Sequence, residues 1–267
     1  MNIINFLEGF TTESLSTGKS SRRYMLGTLG SLGKKAALAS VPFGMATSTS
    51  YAQGTKKHGP PLRLALTLEY LEAEFYMLAL ESGILPSGKP ENIYMQISKH
   101  EDAHVALLKS VLDDSGVDTS SPTFDFTAGG MFDPFNQDNP NAYAQLLALA
   151  QAFEDTGVRA YKGQAGNLQG TPYLEPALQI HSVEARHASE IRRLRGLEGW
   201  ITLDQRGEDM PLATQPVYDG EELIVQAGVD LTAITAFDAI AASQSFDEPI
   251  SGETAVAIAS LFINQEE

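Results

Sequence analysis

Lys99-His100-Glu101-Asp102-Ala103-His104-Val105 and Ser182-Val183-Glu184-Ala185-Arg186-His187-Ala188 decide how this chain is read. Each holds a Glu-x-x-His pair within a pattern of helical period. Ile93, Ile97, Glu101, His104, Leu108 and Val111 share one face of a predicted helix over 91–114. Ala177, Ile180, Glu184, His187, Ile191 and Leu194 do the same over 173–196. A carboxylate and an imidazole one helical turn apart can reach the same metal ion. One such pair is a common accident of sequence, so the surroundings of the two pairs carry the argument.

Each pair is preceded by a helix marked Glu-x6-Tyr: Glu69 and Tyr76 before the first, Glu154 and Tyr161 before the second. The lone glutamate precedes the paired one by 32 and 30 residues, so the chain repeats as two helical hairpins. The first predicted helix starts near Pro61, a favoured first-turn residue, and runs to about Ser82. Leu62, Ala65, Glu69, Glu72, Tyr76 and Ala79 form its stripe. The third starts at Asn139-Pro140 and runs to about Ala165, with Leu147, Ala150, Glu154, Val158 and Tyr161 facing one way. Gly163, Gly166, Gly170 and Pro172 mark the turn after it. Residues 115–139 carry Pro122, Gly129-Gly130, Pro134 and four phenylalanines, Phe124, Phe126, Phe132 and Phe135. A connection this long makes sense as a crossover running the length of a bundle, with its phenylalanines packed on the outside of the helices. The expected fold is therefore all-α, a four-helix bundle over 61–199 with its long crossover between helices two and three. Residues 200–267 are expected to pack on the bundle as an extension of short helices, over 231–243 and 252–264.

Composition narrows the function. The chain has 267 residues, no cysteine and a formal charge of −16. Any metal must be held by oxygen and nitrogen ligands. An acidic surface repels nucleic acid and anionic lipid. No run of eighteen apolar residues suggests a membrane span. Residues 1–52 read as a twin-arginine-type export signal: Ser21-Arg22-Arg23-Tyr24-Met25-Leu26, a mildly apolar stretch, then Ser50-Tyr51-Ala52 as small residues at a cleavage site. Lys34 and Lys35 interrupt the apolar stretch, and a basic unstructured N-terminus is the competing reading. Residues 53–60 read as a linker. The expected location is periplasmic or otherwise exported.

Four predicted helices each carry a glutamate on the face that should be buried. An unpaired carboxylate in an apolar core costs several kcal/mol and must be neutralised, paired or bound to a cation. Arg159, Arg186, Arg192 and Arg193 lie mostly off the apolar stripes, and Arg192, Arg193 and Arg195 read as a cationic helix end. A dinuclear metal centre meets the need: one Glu from each of two helices plus Glu-x-x-His from each of the other two is the ligand set of di-iron and di-manganese carboxylate bundles.

On these marks the chain resembles ferritin-like domain proteins. Leu68-Glu69-Tyr70-Leu71-Glu72-Ala73-Glu74-Phe75-Tyr76, residues 152–161 and residues 183–188 further resemble an exported bacterial branch related to plant desiccation-associated proteins. The resemblance covers about 60–200, and the tail only weakly through Phe246-Asp247-Glu248-Pro249. It implies two Fe or Mn ions held by Glu69, Glu101, His104, Glu154, Glu184 and His187. Glu101 and Glu184 would bridge, and the two histidines would cap one metal each. Tyr76 and Tyr161 would hydrogen-bond ligand carboxylates. Glu72 is an alternate ligand or ion-entry group; His181 lies one turn before Glu184 and stands beside the ligands or in solvent, and His100 is equally open. The implied reactant is dioxygen or hydrogen peroxide, with ferroxidase or catalase-like chemistry in oxidative or desiccation stress. A stress protein with a structural or absent metal site is the alternative, an iron-storage cage is a weaker one, and assembly as a homo-oligomer stays open.

Overall fold

The computed structural model describes residues 47–113, 116–207, 210–234 and 236–264, with side chains from residue 59 onward. The chain divides into two units, Met1–Ser50 and Tyr51–Glu267. The expected export signal, residues 1–52, lies almost wholly outside the described residues. Four long helices carry the fold: α1 (Thr47–Glu81), α2 (Lys89–Asp113), α3 (Ala142–Gln164) and α4 (Leu174–Leu194). The stretch 53–60, expected as a linker, is helical and belongs to α1, with Pro60 and Pro61 inside the helix. Proline keeps a helical φ but forfeits its own bond to the preceding turn and crowds the carbonyl four residues back, so the helix passes Pro60 and Pro61 at a cost.

The direction of packing follows from residue pairs. Tyr161 meets Glu69 while Tyr76 meets Glu154, so α1 and α3 run antiparallel. His187 meets Glu101 while His104 meets Glu184, so α2 and α4 do too. α2 and α3 therefore point the same way, and the chain between them must travel back along the bundle. It does so beside α1. Tyr70 Oη donates to Thr119 O at 2.7 Å, and Gln137 Nε2 donates to Ser82 O at 2.8 Å. Phe126 and Phe132 are buried on the way. Phe126 packs on Phe75 at 5.5 Å, and Phe75 packs edge-on against Phe153 at 5.1 Å. The expected crossover and its aromatic packing are both present.

α3 is the centre of the molecule. Every residue from Leu146 to Tyr161 is buried, as in a helix covered on all sides. The other three helices cover one side. The C-terminal extension covers the other, with two short helices, α5 (Ala239–Ser243) and α6 (Gly252–Ala259), and a small antiparallel hairpin of β1 (Val225–Gln226) and β2 (Val229–Asp230). Ala255, Ile258 and Ala259 of α6 join Ala148, Ala152 and Ala160 of α3 in one apolar cluster. Phe262 stacks edge-on against Phe153 at 4.9 Å. Ile263 pairs with Phe124, tying the tail to the crossover. Gly163 lies within α3, not in the turn after it, because the chain passes against it: a Cβ there would overlap the carbonyl oxygen of Ile250. No helix among the described residues is long and apolar enough to cross a membrane.

Candidate metal centre

All four glutamates expected at the centre are fully buried, and the two histidines of the Glu-x-x-His pairs point at them. His104 Nδ1 lies 3.1 Å from Glu69 Oε2, 3.2 Å from Glu101 Oε2 and 3.1 Å from Glu184 Oε1. His187 Nδ1 lies 3.0 Å from Glu101 Oε1, 3.3 Å from Glu154 Oε2 and 3.5 Å from Glu184 Oε2. Two groups result, in each of which the ligand atoms lie within 4.8 Å of one another: Glu69, Glu101, His104 and Glu184, and Glu101, Glu154, Glu184 and His187. Glu101 and Glu184 belong to both. Each offers one oxygen to each imidazole, while Glu69 and Glu154 face one imidazole apiece.

The two tyrosines work across helices. Tyr76 Oη donates to Glu154 Oε1 at 2.5 Å, and Tyr161 Oη donates to Glu69 Oε1. Seven residues along a helix span roughly 10 Å, too far for a phenol to reach the glutamate that precedes it on its own helix. In an antiparallel pair each tyrosine instead lies level with the partner helix's glutamate. The repeated Glu-x6-Tyr spacing is thus a reciprocal match between α1 and α3. Tyr94 braces Tyr76 edge-on at 5.0 Å. Tyr161 also walls an apolar cleft among Leu62, Leu108, Leu168 and Ile180, which shields that end of the cluster.

The cluster is electrostatically costly without a cation. Burial, and then the neighbouring carboxylates, push Glu69 and Glu72 well above the usual carboxylate range. Burial does the same to Glu154 against the pull of His187. Burial alone would raise Glu184 too, but its two imidazole partners outweigh it and hold its carboxyl at about 2. Burial disfavours a charged His104, yet the facing carboxylates of Glu101, Glu184 and Glu69 raise it to about 12. His187 is raised for the same kind of reason, chiefly by Glu154. Even so, the internal pairing is incomplete. Glu101 Oε1, Glu154 Oε2, both oxygens of Glu184 and His187 Nδ1 are buried without a hydrogen-bond partner. They face one another at ion-pair distance without hydrogen-bond alignment. Buried polar atoms in native proteins are almost always satisfied, and this convergence is one that could hold a cation at its focus.

Glu72 is buried beside the cluster, close to Gly157 and Glu184, and belongs to neither four-residue group. His181, one turn before Glu184, places its Nδ1 3.0 Å from Val158 O, against the backbone of α3. His100, left open by the sequence, sits against the centre: its Nδ1 is 2.8 Å from His187 Nε2, and the two rings meet edge to edge in nearly one plane. The available signal was its place one turn before His104.

The arginine expectation needs correcting. Arg159 and Arg192 are buried, not solvated. They neutralise other acids. Arg159 Nε pairs with Glu221 at 2.6 Å, and its guanidinium donates to the carbonyls of Val217, Asp219 and Glu248. Arg192 grips both oxygens of Asp155, which Tyr218 Oη also donates to at 2.9 Å. The partners of Arg159, and Tyr218 beside Asp155, come from the tail, while Asp155 itself lies on the face of α3 away from its apolar stripe. The conclusion that arginine does not neutralise the four central glutamates stands.

No curated protein sequence matches the chain. A family model does: residues 61–197 match the ferritin-like domain, covering α1 from Pro61 onward, α2, α3, α4 and every residue of the cluster. With that match, the bundle and its Glu/His cluster on the page, the chain belongs to the ferritin-like domain family.

Proposed function

We propose that this protein holds two Fe or Mn ions in the cluster and uses them to react with dioxygen or hydrogen peroxide. The observation that carries this is the convergence of four fully buried carboxylates and two imidazoles, five of whose facing atoms lack hydrogen-bond partners. Four carboxylates balance the charge of two divalent cations, and two neutral imidazoles complete the set. Glu69 and Glu154 would be terminal ligands, Glu101 and Glu184 bridges, and His104 and His187 the nitrogen ligand of each half. When bound, such a metal pair supplies one-electron redox chemistry toward small oxidants. The chain's own part is to hold that chemistry still and dry. Tyr76 and Tyr161 fix the terminal carboxylates by donating to the oxygen that faces away from the imidazoles. The aromatic packing at one end and the apolar cleft at the other keep bulk water from the cluster.

Export, and with it a role against oxidative or desiccation stress outside the cytoplasm, rests on Arg22-Arg23 and the apolar stretch that follows. An R22K/R23K variant should stay in the cytoplasm while the parent chain is exported; equal distribution of the two would remove this part of the reading.

The central test is elemental analysis of the folded protein beside a Glu101→Ala/Glu184→Ala variant. About two Fe or Mn per chain, lost in the variant, is expected. A helical wild-type protein that neither carries these metals nor takes them up would overturn the redox reading.

A further inference from the structure

The two halves of the cluster are matched in their facing residues and unmatched behind them. His187 Nε2 lies 2.8 Å from His100 Nδ1, with the rings nearly parallel at 13° and 5.1 Å between centroids. His100 Nε2 lies in turn 2.7 Å from the side-chain amide of Gln96, an exposed residue one turn earlier on α2. On the other half, no hydrogen-bond partner is seen for His104 Nε2 among the described residues.

We propose that Gln96 and His100 set the tautomer of His187 and so make its half of the centre the tighter of two unequal metal sites. The inference rests on the dinuclear reading above and adds an order of filling to it. A neutral imidazole carries one ring proton. His187 presents Nδ1 to the carboxylates, so as a ligand it must keep its proton on Nε2. That N–H donates to His100 Nδ1. His100 then carries its own proton on Nε2, and that proton needs an acceptor. The Gln96 amide supplies one when its oxygen faces the ring, a half-turn that exchanges two nearly isosteric atoms. Each step is forced by the one before it, and the chain ends at the surface. A ligand imidazole whose second N–H is held is already oriented and is more basic, and loss of such a partner typically costs ~10–100-fold in metal affinity. His104 lacks this support and should bind its ion more weakly.

The test is an anaerobic titration of the metal-free full chain with Mn2+, with the free ion counted by electron paramagnetic resonance. Two steps are expected in the wild type. Glu154→Gln should remove the tighter step and Glu69→Gln the weaker, which assigns each step to its half. His100→Phe keeps an aromatic ring at that position and removes both nitrogens. It should weaken the tighter step by about tenfold or more and leave the other in place. His100→Asn, whose amide oxygen can accept near the position of Nδ1, should restore much of the loss. A general loosening of the fold would weaken both steps and would not be rescued by asparagine. If His100→Phe does not fold, Gln96→Leu at the exposed end should give a smaller loss in the same step. Two bound ions with an unchanged tighter step in His100→Phe, or a loss confined to the His104 half, would overturn this inference and leave the dinuclear reading intact. A wild type that binds no Mn2+, or one ion only, would overturn the dinuclear reading itself.

Discussion

Glu101 and Glu184 lie between the two imidazoles, whereas Glu69 and Glu154 each face one. The difference predicts unequal stoichiometry. Glu69→Gln should leave about one metal per chain, and Glu101→Gln about none, because a lost bridge opens both sites. Elemental analysis reads this directly, and equal loss in both variants would contradict the division into bridges and terminal ligands. Tyr161→Phe leaves one oxygen of Glu69 without its phenol. A loss of ~10-fold in metal affinity is expected, with little change in helicity by circular dichroism. All six facing residues were legible in the sequence because the two Glu-x-x-His pairs recur on apolar stripes, each behind a helix marked Glu-x6-Tyr. The pairing of each tyrosine with the opposite helix was not, since spacing within a helix says nothing about register between helices. His100 was visible only as one more histidine on α2, and its meaning depends on which ring nitrogen of His187 faces inward.

At the level of elements, α3 shows most clearly what periodicity can and cannot tell. Its stripe placed Glu154 and Tyr161 correctly. Its opposite face reads as Ala, Gln, Asp and Arg, which suggests solvent, yet Gln151, Asp155 and Arg159 are all buried under the tail. Their partners lie roughly 40–90 residues away in sequence, beyond the reach of any local pattern. Gly163 is the point of closest approach. Gly163→Ala would force the chain at Ile250 outward, and overpacking of this kind costs about 1–3 kcal/mol. A fall in the urea midpoint at unchanged slope would register it; an unchanged midpoint would mean that the tail yields freely. The start of α1 was misplaced for the complementary reason: a proline pair marks a local loss of one bond per residue, while the helix carries on through it.

The whole molecule, then, is a bundle completed by its own tail, and its response to pH follows. Burial pushes the Glu221 carboxyl up to about 7 from a usual 4.5, although Arg159 and the Glu248 amide pull it down. The folded chain thus keeps a proton that the unfolded chain has released across that interval. The stability contributed by this group is full below 4.5 and is lost as pH rises toward 7. Denaturation midpoints of the metal-free protein, followed from pH 5 to 8, should fall more steeply in the wild type than in Glu221→Gln; parallel curves would show that Glu221 titrates normally. A chain ending at residue 199 should fail to melt cooperatively, because it strips the buried Arg159 of Glu221 and of all three carbonyls it donates to. The family match stops at 197, so nothing in the bundle's own motif announces this dependence.

That arrangement gives the molecule a clock. A polypeptide emerges from the ribosome at about 5–20 residues per second. The partners of Phe153 and Arg159 near the end of the chain are made roughly 5–20 s after α3 itself at that pace. During that interval the four glutamates are already synthesised, but the helix that carries Glu154 has only half its cover. The final fixing of α3, and with it of Glu154, is thereby deferred to the last stretch of synthesis.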